Sequence, residues 1–555
     1  MILPVARHSQ YMDKANDIDI DNSSNTDELF GHPKGLYVCF ATELWERFSF
    51  YGMKYLLLLY LTKYHLFSDG AGLEVLGSYA GLVYTLPVIG GMLADRYLGM
   101  KKSVIFGGIL LCFGHLLMAV EGHQAVQYVA GTILTADITL NNGTVLSAGT
   151  QLTETVKIQD LAALNVFYLA LSLIVVGVGF LKPNISTIVG QLYSKDDPRR
   201  DSGFTIFYMG INLGSFAATI ICVYLGETYG WRYGFGAAGI GMLFGLVTFT
   251  KGLKYLRGLA EPPDVEVLSG KVWGLISREH LIYLTSLLSL SVFWLIIQHE
   301  PVVFAAQQVL LIASGVGLIA YAALKGNREE FQQMLVLMVL IASTIVFWAL
   351  FEQAAGSMTL FADRVVDRSI AGIEITAGQF GSLNAGFIIM LSLPFAALWV
   401  WLDKYKLNPN IPIKFALGIM QAGLGFGVLV IGAQYPNEAG KISLWWLVLA
   451  YLIHTTGELC LSPVGLSAVT KLAIHRVVGL SMGVWFLATA LSETLAMRLG
   501  KLAAIDTQGG ELNSVSDNLI IYTQLFEFLM WIGIGTGVAI LLISPLLKRG
   551  MHGVR

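Results

Sequence analysis

Glu43-Leu44-Trp45-Glu46-Arg47-Phe48-Ser49-Phe50-Tyr51-Gly52 puts two carboxylates and a guanidinium in the middle of a segment otherwise apolar enough to span a bilayer. A charged side chain at that depth costs a few kcal/mol on insertion scales. Three of them within five residues point to the handling of an ion or a polar solute. On a helix, Glu43, Glu46, Arg47, Phe50, Tyr51 and Lys54 fall at spacings of three and four and form one stripe. That stripe must face protein or water, because lipid would strand every charge on it.

The rest of the chain agrees with a bilayer setting. Of the 555 residues, 55% are hydrophobic and only 13% charged, against about 25% charged in a soluble globular domain. An integral membrane protein is therefore expected, with the lipid bilayer as its surroundings. A net charge of −3 without a basic patch gives no sign of a nucleic-acid partner. Cys39, Cys112, Cys222 and Cys460 lie within apolar runs, without metal-type or disulfide-framework spacing, and read as packing residues. No HExxH or P-loop pattern occurs, and neither an enzyme nor a metal site is expected. Met1 to Asp27 is polar and lacks the apolar core of a cleavable signal; it reads as a flexible tail.

Apolar runs of about 20 residues or more mark spanning helices. They fall near 35–61, 74–97, 103–120, 161–185, 203–225 and 235–256, and again near 331–355, 377–403, 412–434, 443–472, 478–501 and 519–546. Two further runs, near 280–298 and 301–324, lie between the sets. The expected fold is an all-α membrane protein of fourteen spans, two six-helix bundles plus an extra pair. The corresponding divisions are a tail at 1–34, bundles at 35–257 and 331–547, a linker with the extra pair at 258–330, and a tail at 548–555.

Lysine and arginine in short loops set orientation. Arg96, Lys101 and Lys102, then Lys195, Arg199 and Arg200, then Lys251, Lys254, Arg257, Lys271 and Arg278 fall on one side. So do Lys325 and Arg328, Lys404, Lys406 and Lys414, Lys471 and Arg476, and Lys548, Arg549 and Arg555. Both termini are expected in the cytoplasm. The long loop at about 121–160 then lies outside. There, β-branched residues flank Asn141-Asn142-Gly143, which predicts a β-hairpin, a surface elaboration.

Further polar groups sit at membrane depth: Lys182, Asn212, Glu352, Asn384 and Glu458, with Tyr84, Trp348 and Trp485 adding aromatic surface. Asn212 and Asn384 alone fit helix–helix hydrogen bonds as well as ligand contacts. The charges are different, because both signs occur: Arg47, Lys54 and Lys182 against Glu43, Glu46, Glu352 and Glu458. A purely structural role would ask for buried ion pairs, which a packed apolar core often matches in stability. Function is the better reading for the charges.

With these motifs the chain resembles the proton-dependent oligopeptide transporter family of the major facilitator superfamily, in its bacterial form. The family's E-x-x-E-R-F signature is met by Glu43 to Phe48, and Gly90-Gly-Met-Leu-Ala-Asp95-Arg96-Tyr-Leu-Gly99 is similar to the superfamily loop motif after the second span. Phe207-Tyr-Met-Gly-Ile-Asn212-Leu-Gly214 and Gly457-Glu458 through Ser462-Pro463 match two more family motifs. Phe50 stands where the family usually has tyrosine, and Lys54 where many members have arginine, which keeps the charge and loses the bidentate fork.

The resemblance implies a symporter that imports di- and tripeptides with protons, working as a monomer in the bacterial inner membrane, with no cofactor beyond the coupling ion. It implies that Arg47 and Lys182, with Lys54 nearby, hold the peptide carboxylate. Glu458, with Asn212, Asn384 and Ser462, would hold the amino end or backbone, and Phe50, Tyr51, Tyr84, Trp348 and Trp485 would line side-chain pockets. Glu43, Glu46 and Arg47 with Glu352 and Glu458 would couple the proton. Two gate pairs are implied, Lys54 with Glu352 on the outer side and Lys182 with Glu458 on the inner. Two other readings stay open: a carrier of the same fold for nitrate, another metabolite or drug efflux, and a peptide sensor that does not transport.

Overall fold

The computed structural model describes residues 28–194, 197–256, 258–272, 274–505 and 514–554. The expected N-terminal tail at 1–27, and the basic residues Lys195, Arg257 and Arg555, lie outside them. Among the described residues fourteen helices have eighteen residues or more. The first six are α1 (Lys34–Lys63), α2 (Asp69–Leu93), α3 (Gly99–Met118), α4 (Leu161–Gln191), α5 (Arg200–Tyr229) and α6 (Trp231–Gly252). Then come α7 (Arg278–Ile297) and α8 (Glu300–Lys325). The last six are α9 (Arg328–Phe351), α10 (Ser382–Lys404), α11 (Ile411–Gly432), α12 (Leu444–Leu472), α13 (Val478–Gly500) and α14 (Val515–Gly550). The expected helical membrane fold is borne out. Length and hydropathy alone find only twelve spans, because Asp69–Met118 counts as one continuous stretch and α1 is excluded by its own charges.

Within the first set, α1 lies against α5 and α6, and α4 against α2 and α3; within the second, α11 packs on α12 and α14. Small residues permit these approaches, since lipid tails offer no hydrophobic drive for helix association. At Gly90 of α2, a Cβ would stand 2.0 Å from the carbonyl oxygen of Gly179 in α4. Cys222 packs where a Cβ on Gly52 would meet its sulfur at 2.8 Å, and all four cysteines are buried and free. The extra pair stands on the outside, α7 against α4 and α8 against α13 and α2. Little of either helix is buried in the protein.

The 121–160 insert is built from two short antiparallel pairs. Val126–Tyr128 pairs with Val156–Ile158, and Ile138–Thr139 pairs with Val145–Leu146 across the expected Asn-Gly turn, with Gly143 at φ +86°. It is pinned onto the α1–α2 turn: Gln159 Nε2 donates to the His65 carbonyl at 2.6 Å, and Lys157 Nζ to that of Leu66 at 3.2 Å.

His65 itself is fully buried among Tyr60, Tyr64 and Phe167, with neither ring nitrogen partnered. Burial holds its pKa down to about 4. The ordinary value is about 6.5, so the unfolded chain takes up a proton first as pH falls. Stability present above pH ~6.5 is therefore lost progressively toward pH 4, by about 3 kcal/mol. Replacing His65 by phenylalanine should flatten that acid limb. Thermal unfolding followed from pH 7 to 4 tests this, and equal acid sensitivity in both proteins would reject it.

The ties between the two sets of helices gather at the end that carries the insert. Arg364 grips Asp69 with two hydrogen bonds of 2.6 and 2.7 Å, Lys63 pairs with Asp363 at 2.6 Å, and Lys501 with Glu74 at 2.5 Å. At the same end Gly378 N donates to Glu227 at 2.9 Å. Helix α9 breaks there: Glu352–Ala355 is a 3₁₀ turn before a short helix at Ser357–Val365. Glu352 thus sits at the break.

Candidate functional site

The stripe on α1 is buried as its spacing requires, with Glu43, Glu46, Arg47 and Lys54 all enclosed. Arg47 Nε lies 3.2 Å from Glu43 Oε1 and also contacts Glu46 Oε2. Three polar atoms of this cluster remain buried without a partner: Glu43 Oε2, Glu46 Oε1 and Arg47 Nη2. Buried polar groups are nearly always satisfied, so the cluster has spare capacity for a proton on either carboxylate and for an acceptor at the guanidinium.

One helical turn further, Phe50 lies between the two cations. Its ring centre is 5.2 Å from the Arg47 guanidinium and 5.9 Å from Lys54 Nζ, and it stacks on Tyr79 at 6.4 Å. A phenyl face at this place attracts both cations and, being fully enclosed, is a spacer rather than an open pocket wall. Tyr51 packs edge-on against Phe50 and stacks on Tyr55. Lys182 of α4 stands over the Tyr84 ring with Nζ 3.8 Å from its centre.

From the second set of helices, Glu458 of α12 accepts from Asn384 Nδ2 of α10 at 2.9 Å, and the same amide donates to Thr455 Oγ1 at 3.2 Å. Asn212, by contrast, spends its amide on the Tyr208 carbonyl of its own helix at 3.1 Å. Trp348 packs between Phe347 and Phe351 and leaves its indole N–H buried without an acceptor. Trp485 is enclosed, wedged where a Cβ on Gly465 would meet its ring at 2.1 Å. Ser462 is half-buried on α12.

The two expected gate pairs have different outcomes. Lys54 Nζ reaches Glu352 Oε2 at 2.8 Å, joining α1 to the break in α9. Lys182 and Glu458 form no ion pair. Both lie well past the starts of α4 and α12, away from the end where the two sets are tied, so nothing brings them together in this conformation. Sequence reasoning missed Glu493 of α13, which takes Lys54 from the other side at 2.9 and 3.1 Å and is 0% exposed. The signal was present: Leu491-Ser-Glu-Thr is a charge inside an apolar run, the criterion that singled out Glu352 and Glu458. No cluster of three or more His, Cys, Asp or Glu suited to a metal occurs among the described residues.

Two six-helix sets joined through a helix pair, with opposite charges held at bilayer depth between them, define a multi-pass membrane protein of the major facilitator fold. The chain belongs to the POT family, whose model matches residues 101–513. It is 36% identical to the peptide transporter YePEPT of Yersinia enterocolitica, over 85% of this chain and 88% of that one. It is 33% identical to dipeptide and tripeptide permease A of Cronobacter turicensis, over 94% of each. An uncharacterized transporter of Bacillus subtilis, YclF, is 35% identical over 95% of this chain and 96% of its own. Among solved structures, peptide transporter POT in complex with sulfate superposes with a TM-score of 0.76 at 32% identity, covering 98% of this chain and 99% of that one.

Proposed function

We propose that this chain is a proton-coupled symporter that imports di- and tripeptides by alternating access. The observation that carries the reading is the two-pole charge set. Arg47, with an unpartnered Nη2, and Lys182 stand on the first set of helices, and Glu458, oriented by Asn384, on the second. A short peptide is a zwitterion whose charges are separated by its backbone whatever its side chains are. One cationic and one anionic pole compensate the desolvation of both its termini. Tyr51, Tyr84 and Trp348 supply aromatic surface that accepts varied side chains, while Phe50 and Trp485 back this layer.

Three cations, Arg47, Lys54 and Lys182, face five carboxylates, Glu43, Glu46, Glu352, Glu458 and Glu493. That imbalance in a low-dielectric slab favours proton uptake, and it supports protons as the coupling ion with no cofactor. Protonation of Glu43 or Glu46 frees Arg47 for the peptide carboxylate. Lys182 meets Glu458 when the opposite end closes. The units at 35–257 and 331–547 rock about the site, with 258–330 as the linker. We place the chain as a monomer in the bacterial inner membrane, both termini cytoplasmic and the insert outside; the conformation described is then closed to the outside.

Uptake of Ala-Ala against free alanine in proteoliposomes, with and without an inward proton gradient, tests this. Gradient-dependent accumulation of the dipeptide alone is expected. A sensor would bind without accumulating, and a carrier of another substrate would show no dipeptide counterflow; either result rejects the reading.

A further inference from the structure

Lys54 departs from the arginine common at its position, and its surroundings give a reason. All three polar contacts of its ammonium are taken, one by Glu352 Oε2 at 2.8 Å and two by Glu493 Oε1 and Oε2 at 2.9 and 3.1 Å. A compact ammonium with three donors fits between two carboxylates, whereas a planar guanidinium fork matches one. Its cost is charge. One ammonium against two ionised carboxylates leaves an excess negative charge, and Glu493 is fully enclosed while Lys54 is 2% exposed. An uncompensated charge in such a place costs several kcal/mol.

Among the described residues no other cation makes contact with the triad. Phe50 covers one side of Lys54, the other groups facing it are the phenols of Tyr51, Tyr55, Tyr79 and Tyr84, and the phenol of Tyr451 faces Glu352. Lys182 lies in reach of Glu493 only through space and stands over Tyr84. Arg47 is already shared by Glu43 and Glu46, and Glu458, the remaining carboxylate in reach of Glu352, adds negative charge.

We infer that Glu493 turns the closed gate into a proton-binding site, in which the Lys54–Glu352–Glu493 triad holds one proton shared by the two carboxylates and carries no net charge. The step is a protonation of carboxylate to carboxylic acid, the proton coming from the water on the insert side. When the helix sets part at that end, Lys54 leaves with α1 and both carboxylates stay on the second set, open to that water. Closing again requires that they bring a proton with them. Glu352, with 15% of its side chain accessible, is the member that exchanges it; Glu493 is sealed. A Lys54–Glu352 pair without Glu493 would close neutral and unprotonated. The use of this proton in transport rests on the symporter reading above, whereas the site itself does not.

Infrared difference spectroscopy of the full chain in lipid nanodiscs, at neutral pH without substrate, tests the site directly. Wild type minus Glu493→Gln should show a protonated-carboxyl C=O band lost in the variant. An unchanged carboxyl region overturns the inference. If Glu493→Gln is not recovered folded, Glu352→Gln takes its place, and persistence of the band there is equally fatal. In proteoliposomes the proton-to-dipeptide ratio should fall by about one in Glu493→Gln and be kept in Glu493→Asp; an unchanged ratio in the glutamine variant counts against the inference. Presence of the infrared band in a wild-type protein that moves no dipeptide, with its loss in Glu493→Gln, would reject the symporter reading and keep the proton site.

Discussion

Replacing Lys54 by methionine should abolish gradient-driven dipeptide accumulation and destabilise the folded protein by about 3–5 kcal/mol near neutral pH, the penalty for removing one partner of a buried ion pair. The residue is the single cation between Glu352 and Glu493. Methionine fills a similar volume, so packing alone is little disturbed. What remains is one proton between two carboxyl groups and a buried negative charge with no cation beside it. The loss has a sign with pH. Acid neutralises the pair, so the stability deficit should shrink as pH falls from 8 to 5. Thermal unfolding of both proteins across that range, with dipeptide accumulation in proteoliposomes, measures the two effects. Wild-type accumulation by the variant, or a deficit that grows on acidification, would sink the assignment.

Glu46→Gln should eliminate accumulation driven by a proton gradient. Glu46 is 0% exposed, contacts Arg47 through one oxygen and leaves the other without a partner. Glutamine preserves its shape and removes its titration, so the Arg47 guanidinium is released permanently instead of cyclically. Binding and gating then no longer require a proton, and an inward gradient has nothing to drive. Undiminished accumulation by this variant would remove Glu46 from the coupling path. The companion measurement is uptake at matched internal and external pH, where the difference from wild type should be much smaller.

Most of the architecture was legible because lipid imposes it. A run of apolar side chains long enough to cross a bilayer has only the helix open to it, since every backbone N–H and C=O must be satisfied within the segment. The Asn-Gly hairpin was legible for a local reason, a turn that asks for positive φ at Gly143. Helix ends were less so: α14 runs from Val515 to Gly550, beyond the apolar stretch at 519–546, because polar residues at a membrane surface continue a helix without cost. Glu493 went unread although nothing hid it, and Asn212 shows that a polar residue in a span is sometimes spent on its own helix.

Chain chemistry on its own determined that this is a helical membrane protein, that charges of both signs lie at bilayer depth, and that those on α1 share one face. Those are consequences of composition and of the 3.6-residue period, which act within a single segment. Which opposite charges meet is a different kind of fact. Lys54 takes Glu352 and Glu493, while Lys182 and Glu458 stay apart, because helices remote in the chain are tied at the insert end and not at the level of that second pair. Pairing across bundles depends on how two rigid bodies are tilted, and no local periodicity encodes a tilt.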